Sequence, residues 1–176
     1  MSEPSPSSHR HHHRRDAPPE VPTAVITVSD TRTLETDTGG ALAAELLERA
    51  GHAVTVREVV KDEPRAIAGG LERALEREDT RAVILTGGTG VAPRDVTPDT
   101  VEPLLERVVP GFGELFRQLS FAEIGSAAIL SRALAGLVRG NVVFVIPGSR
   151  GAVRLALESL ILPEIAHLAG EARKTR

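Results

Sequence analysis

The chain has 176 residues, 41% hydrophobic and 26% charged, which is material for one globular core and excludes collagenous, fibrous and membrane-embedded classes. It contains no cysteine, so disulfides, zinc-thiolate sites, iron–sulfur clusters and cysteine nucleophiles are excluded together. With 21 Lys and Arg against 24 Asp and Glu, no Trp or Tyr and four Phe, it has neither the basic field nor the stacking platforms of a nucleic-acid binder, and a small-molecule enzyme or a binding protein remains.

Residues 1–22 form a composition class of their own, with five of the twelve prolines, four of the six histidines and almost no large apolar side chain. Such a stretch cannot bury enough surface to offset its ordering entropy, so a disordered tail is expected over 1–22 and one folded domain over 23–176. His9, His11, His12 and His13 could chelate a metal ion, but with Arg10, Arg14 and Arg15 interleaved a solvated tail is the simpler reading. The stretch has no apolar signal-peptide core and no run in the chain is long enough to span a bilayer, so a cytoplasmic protein without membrane contact is expected. Three basic and three acidic tail residues cancel, which assigns the net charge of −3 to the folded part.

From Thr23 onward two hydrophobic periods alternate. Thr23 to Val28 reads as a buried strand, and Ala43, Leu46, Leu47 and Ala50 share one helical face, ended by Gly51. Ala53 to Val60 alternates as a strand, and Pro64 opens a helix carrying Ile67, Leu71, Ala74 and Leu75. Ala82 to Leu85 is a third strand. Two short helices are expected from Val101/Leu104/Leu105/Val108 and Phe112/Leu115/Phe116/Leu119, separated by Pro110-Gly111. Leu134 to Val138 and Val142 to Ile146, joined by Arg139-Gly140, read as a hairpin. A last helix carries Val153, Ala156, Leu157 and Leu160, with a further turn or two over Leu162 to Ala169. The order predicts an open α/β sheet covered on both faces, mostly parallel, with one antiparallel edge strand from the hairpin.

The unusual residues fall just past strand ends. Ser29-Asp30 follows the first strand, Lys61-Asp62-Glu63-Pro64 the second, Thr86-Gly87-Gly88-Thr89-Gly90 the third and Pro147-Gly148-Ser149 the last. That sheet edge is where open α/β folds bind ligands. The glycine run can present backbone N–H groups to phosphate oxygens, or it can be a tight strand-to-helix turn; it matches neither the P-loop nor the dinucleotide pattern. Arg94 could neutralise a phosphate and Asp95 hold Mg²⁺ beside it, or Asp95 or Thr97 could cap the helix that Pro98 begins. Asp62 has the same two readings, and its own segment favours the cap. As a second carboxylate on that edge it would share a magnesium ion with Asp95 or divide base and metal roles with it. Asp30 and Asp37 are further carboxylates, Asp37 also opening a helix. Ser131-Arg132 is most simply a solvated loop, and His52 and His167 are most simply structural.

Thr27-Val28-Ser29-Asp30, Asp37-Thr38 with Gly40, Asp62-Glu63, Gly87-Gly88-Thr89-Gly90, Arg94-Asp95-Val96-Thr97-Pro98, Pro110-Gly111-Phe112, Ile129-Leu130-Ser131-Arg132 and Pro147-Gly148-Ser149, in this order and spacing, resemble the molybdopterin-binding family of molybdenum cofactor biosynthesis proteins. The resemblance covers about Thr23 to Ala169 and is nearer to the MoaB branch than to the MogA branch, on the Asp-Thr-x-Gly start and the compact C-terminus. It implies a three-layer α/β/α subunit assembled as a trimer or a hexamer, with other cofactor-biosynthesis proteins as further partners. It implies adenylyl transfer: the terminal phosphate of molybdopterin attacks the α-phosphate of ATP with Mg²⁺, giving adenylyl-molybdopterin and pyrophosphate. By the same resemblance Asp62 and Asp95 serve magnesium binding and transfer, and Ser131 serves catalysis. Gly87 to Gly90 and Pro147 to Ser149 hold the nucleotide or pterin phosphate. A second reading is an oligomeric molybdopterin carrier without catalysis.

Overall fold

The structure is a computed structural model and describes residues 20–174. The His-rich stretch with His9, His11, His12 and His13 lies outside the described residues. Val21, in the stretch expected to be tail, is already fully buried.

Six strands form one sheet in the order β2-β1-β3-β6-β5-β4. They are β1 Thr23–Val28, β2 Val54–Val60, β3 Ala82–Thr86, β4 Arg107–Val108, β5 Leu134–Val138 and β6 Asn141–Ile146. β1 pairs in parallel with β2 and β3, and β3 with β6. β5 is the strand that runs against its neighbours, as the hairpin reading requires. Its turn places Arg139 at φ +50° and Gly140 at φ +72°, the pair of left-handed residues that a two-residue hairpin loop needs.

Helices α1 (Thr38–Arg49), α4 (Pro110–Ile124), α5 (Arg150–Ala156) and α6 (Leu162–Ala172) cover one face of the sheet, and α2 (Pro64–Glu76) with α3 (Thr97–Val101) covers the other. Strict alternation along each strand builds these two layers. In β6, Val142, Phe144 and Ile146 join the first cluster while Val143 and Val145 join the second. β3 does the same with Ala82 and Ile84 against Val83 and Leu85. Each fully buried large side chain contributes about 1.5–3 kcal/mol of transfer free energy, and Phe144, Ile84, Leu85 and Ile146 are all completely buried. The three-layer α/β/α architecture therefore follows from the two-residue period of strands that are apolar on both faces.

Two segments differ from the sequence expectation. The helix expected to run through Val108 stops at Val101, passes through a 3₁₀ turn at Glu102–Leu104 and becomes β4, which pairs with Leu137 and Gly136 of β5 and forms the outer edge of the sheet. Leu104 and Val108 are 46% and 40% exposed, so their helical spacing did not reflect a buried face. The C-terminal helix is longer than expected, because a π-helical turn at Leu157–Ile161 joins α5 to α6. Pro163 lacks the N–H that would continue the α-helical ladder there. Among the described residues no helix is long and apolar enough to cross a membrane.

Candidate active site

Sheet order places the site. The chain leaves β1 toward β2 on one side and returns to β3 on the other, so the carboxyl ends of β1 and β3 flank a topological switch point. Gly87 follows β3 there at φ +109°, and a Cβ on it would collide with the Val28 carbonyl at the end of β1. A side chain is therefore excluded by backbone approach as well as by conformation. A Cβ on Gly148 would lie 3.2 Å from the Gly87 Cα, and the Thr86 hydroxyl donates to the Pro147 carbonyl at 3.1 Å. The two glycine turns thus lie against each other. They border a cavity of about 340 Å³ lined by Gly88 to Gly90, Asp95, Ser131 and Pro147 to Ser149, with Phe116, Ile124 and Leu130 as an apolar wall.

Asp62 enters this edge from the end of β2. Its backbone N–H donates to Asp30 Oδ1 at 3.1 Å, joining the ends of β1 and β2. Asp62 Oδ1 and the Thr97 hydroxyl are both buried and have no hydrogen-bond partner. Both lie at Gly88, where φ is +61° and an added Cβ would stand 2.8 Å from Asp62 Oδ1 and collide with the Thr97 hydroxyl. Burial pushes the Asp62 carboxyl above the usual carboxylate range. The Val96 amide opposes that shift, the Asp30 and Asp95 charges add to it, and the Arg94 guanidinium opposes it. Asp95 Oδ2 accepts the Ala92 N–H at 3.0 Å and would meet a Cβ on Gly90 at 2.7 Å.

None of the three candidate caps is a cap. α2 begins after Glu63 and α3 after Val96, neither with a side-chain cap bond. Asp62 and Thr97 are left with buried, unpartnered oxygens, and Asp95 closes its own turn. Asp37, by contrast, caps α1: Oδ1 accepts the Gly40 N–H at 2.8 Å, and Oδ2 accepts the Thr27 hydroxyl at 2.8 Å and Arg57 Nη2 at 3.3 Å. Its carboxylate is fully occupied as a structural group.

The remaining candidates divide. Ser29 and Asp30 line a separate cavity of about 510 Å³ with Arg32, Thr33 and Lys61, and Asp30 is tied to Asp62 by the hydrogen bond above. Ser29 Oγ accepts the Thr31 and Arg32 N–H groups at 3.3 and 3.2 Å, and Ser149 Oγ caps α5 by accepting the Ala152 N–H at 3.3 Å. Arg94 is exposed and makes no hydrogen bond among the described residues, so its guanidinium is open to a ligand. Ser131 is half-buried and borders both the glycine cavity and a second one of about 400 Å³. Its neighbour Arg132 is no solvated loop charge: Nε donates to the Gly90 carbonyl at 2.8 Å and Nη1 to both Asp99 carboxylate oxygens at 2.9 and 2.7 Å. His52 is structural, its Nδ1 accepting the Val21 N–H at 3.2 Å, and His167 pairs with Glu164 on its own helix. Among the described residues no three His, Asp or Glu side chains converge on one point.

Residues 24–167 match the protein family described as "Probable molybdopterin binding domain". The chain belongs to that family. It is 52% identical over 165 residues to molybdenum cofactor biosynthesis protein B of Bacillus subtilis, covering 93% of this chain and 97% of that protein. A crystal structure of a molybdenum cofactor biosynthesis protein B superposes with a TM-score of 0.87 at 49% identity, over 90% of this chain and 99% of the other. The tungsten cofactor synthesizing protein MoaB of Pyrococcus furiosus superposes with a TM-score of 0.82 at 36% identity, over 90% of this chain and all 100% of that one. The molybdopterin-binding fold thus extends over the described sheet and its switch point, with the glycine turns, Asp62 and Asp95 at one edge.

Proposed function

We propose that this protein acts in molybdenum cofactor biosynthesis, binding molybdopterin and adenylylating it with ATP and Mg²⁺ to give adenylyl-molybdopterin and pyrophosphate. The observation that carries the reading is the placement of Asp62 at Gly88 and Asp95 at Gly90, two carboxylates against side-chain-free backbone on the ligand edge of the sheet. Asp95 spends one oxygen on its own turn and Asp62 Oδ1 has no partner, so carboxylate oxygens at this edge remain for a ligand. They would repel phosphates unless a cation accompanied them.

The donor set fits magnesium: hard carboxylate oxygens, one of them buried and without a partner, and too few protein ligands for a closed cage. Magnesium is commonly held by one or two carboxylates with substrate phosphates completing its shell. Asp62 and Asp95 would hold it, and when bound it supplies charge neutralisation on the triphosphate.

The chain's own residues do the rest. Backbone N–H groups of Gly88 to Gly90 hold phosphate oxygens, as a nest of amides does. Arg94, exposed beside them, adds a bidentate positive charge. Ser131 contributes a hydroxyl donor at the cavity wall, and Phe116, Ile124 and Leu130 exclude water from one side. A phosphate oxygen of the pterin attacks the α-phosphorus of ATP. The new P–O bond forms as the bond to the bridging oxygen of the β-phosphate breaks, and pyrophosphate leaves with that electron pair. The nucleophile belongs to the substrate, so a site without cysteine or catalytic histidine suffices, and the gain comes from positioning and charge.

The working form in this reading is a homo-oligomer, a trimer or a pair of trimers. Its support is an apolar surface at the end of α4 and the 3₁₀ turn after it, where Phe121, Ile124, Ile129 and Leu130 are 62%, 60%, 81% and 52% exposed. Ile124 and Leu130 also wall the glycine cavity, so a second copy covering this surface would close the site.

The test is incubation of the purified protein with molybdopterin, ATP and Mg²⁺. Adenylyl-molybdopterin and an equal amount of pyrophosphate are expected. Tight pterin binding with neither product would make the protein a carrier.

A further inference from the structure

Arg132 ties the glycine turn to α3. Its Nε donates to the Gly90 carbonyl at 2.8 Å, its Nη2 to the Asp95 carbonyl, and its Nη1 to both oxygens of Asp99 at 2.9 and 2.7 Å. Gly90 and Asp95 are the two ends of the turn that carries Arg94, so one planar fork grips both ends and is itself held by a carboxylate on α3. The Arg132 backbone N–H donates to the Thr89 carbonyl at 3.1 Å. Through these bonds Ser131, the neighbouring residue, is fixed relative to the glycine turn and to Asp95. The guanidinium is committed to these acceptors and is not offered to a phosphate.

We propose that Arg132 is a positioning residue: its guanidinium sets the geometry of Asp95 and the glycine turn relative to Ser131, and Asp99 holds the guanidinium in place. The proposal rests on the adenylyl-transfer reading for its kinetic consequence, and on hydrogen-bond geometry alone for its structural one. A lysine at 132 keeps the charge but is a single point on a flexible stem, unable to bridge two carbonyls and a carboxylate together. The backbone bond to Thr89 survives that change, so the segment keeps its register while losing the clamp. A misplacement of about 1 Å at a reacting centre can cost on the order of 10²-fold in rate.

The experiment compares wild type, Arg132→Lys and the milder Asp99→Asn by hydrogen exchange of peptides covering 88–96 and by steady-state kinetics with MgATP and molybdopterin. Expected for Arg132→Lys are faster exchange in that segment, little change in exchange of β1 and β3, and a kcat lower by about 10²-fold with a KM for ATP changed far less. Asp99→Asn should give the same pattern, weaker. Wild-type exchange in Arg132→Lys, or a kcat within twofold of wild type, overturns the proposal and leaves adenylyl transfer standing. A rise in KM alone would also overturn it, because it would assign Arg132 to substrate binding. If the wild type itself does not turn over, the adenylyl-transfer reading fails, and exchange decides the clamp: lost protection supports it and retained protection overturns it.

Discussion

Asp62 and Thr97 come from different strand-to-helix connections, yet their buried oxygens meet at one glycine, Gly88, and neither finds a hydrogen-bond partner. A buried acceptor without a donor costs free energy in the folded state, and a carboxylate costs more than a hydroxyl. Such a cost is accepted where a ligand supplies the missing partner. Asp62→Asn replaces the charge by a neutral group of the same shape, so it is expected to raise the melting temperature by about 2 °C or more while removing function. Differential scanning calorimetry without ligands checks this, and a lower melting temperature would show that the carboxylate is satisfied in the free protein.

Gly88 and Gly111 make a paired test of where glycine is required. At φ +61° and between two side-chain oxygens, Gly88→Ala should cost about 1–2 kcal/mol for the left-handed backbone alone, before any clash, and should remove nucleotide binding. Gly111 in the first turn of α4 has open space around it, and Gly111→Ala should stabilise by about 0.4–1 kcal/mol with activity unchanged. Urea titrations of the two variants measure both.

His52 sets a pH dependence of stability. Burial lowers its pKa below the ordinary 6.5, and its neutral ring accepts the Val21 N–H. Above pH 6.5 both folded and unfolded states hold it neutral. As pH falls through 6.5 the unfolded chain takes up a proton that the folded one refuses, so stability drops until the folded pKa is passed. His52→Asn, whose side-chain oxygen can accept the same bond, should lose that part of the slope below pH 6.5. An identical slope in wild type and variant would mean that other groups carry it.

The apolar end of α4 predicts assembly. Phe121→Glu and Ile129→Glu should each shift the sedimenting species toward a monomer and lower activity, since Ile124 and Leu130 beside them wall the cavity. A wild-type protein that sediments as a monomer would contradict the oligomeric reading.

Local pattern made most of the fold legible. Five of the six strands lie where apolar runs predicted them, Pro64 opens its helix at the first position, and Arg139-Gly140 makes the hairpin turn. Where the pattern misled, the deciding contacts were distant. Val108 has helical spacing with Val101, Leu104 and Leu105, but it and Arg107 pair with Gly136 and Leu137, about thirty residues on. Arg132 looked like a charge in a loop because its acceptors, Gly90, Asp95 and Asp99, lie more than thirty positions back. At the site, the glycine turns and carboxylates were visible as residues past strand ends. The choice between cap and ligand for Asp62 and Asp95 was not, since either role uses the same residue types and only the helix starts, at Glu63 and Val96 with no side-chain cap bond, decide it.

In the proposed reaction Asp62 and Asp95 serve one transfer step. Measuring pyrophosphate release from MgATP in the presence of molybdopterin, for wild type, Asp62→Asn and Asp95→Asn side by side, tests it most directly. Each single variant is expected to lose on the order of 10²–10³-fold or more in rate while molybdopterin binding stays near that of wild type. Wild-type release rates in both variants would contradict it.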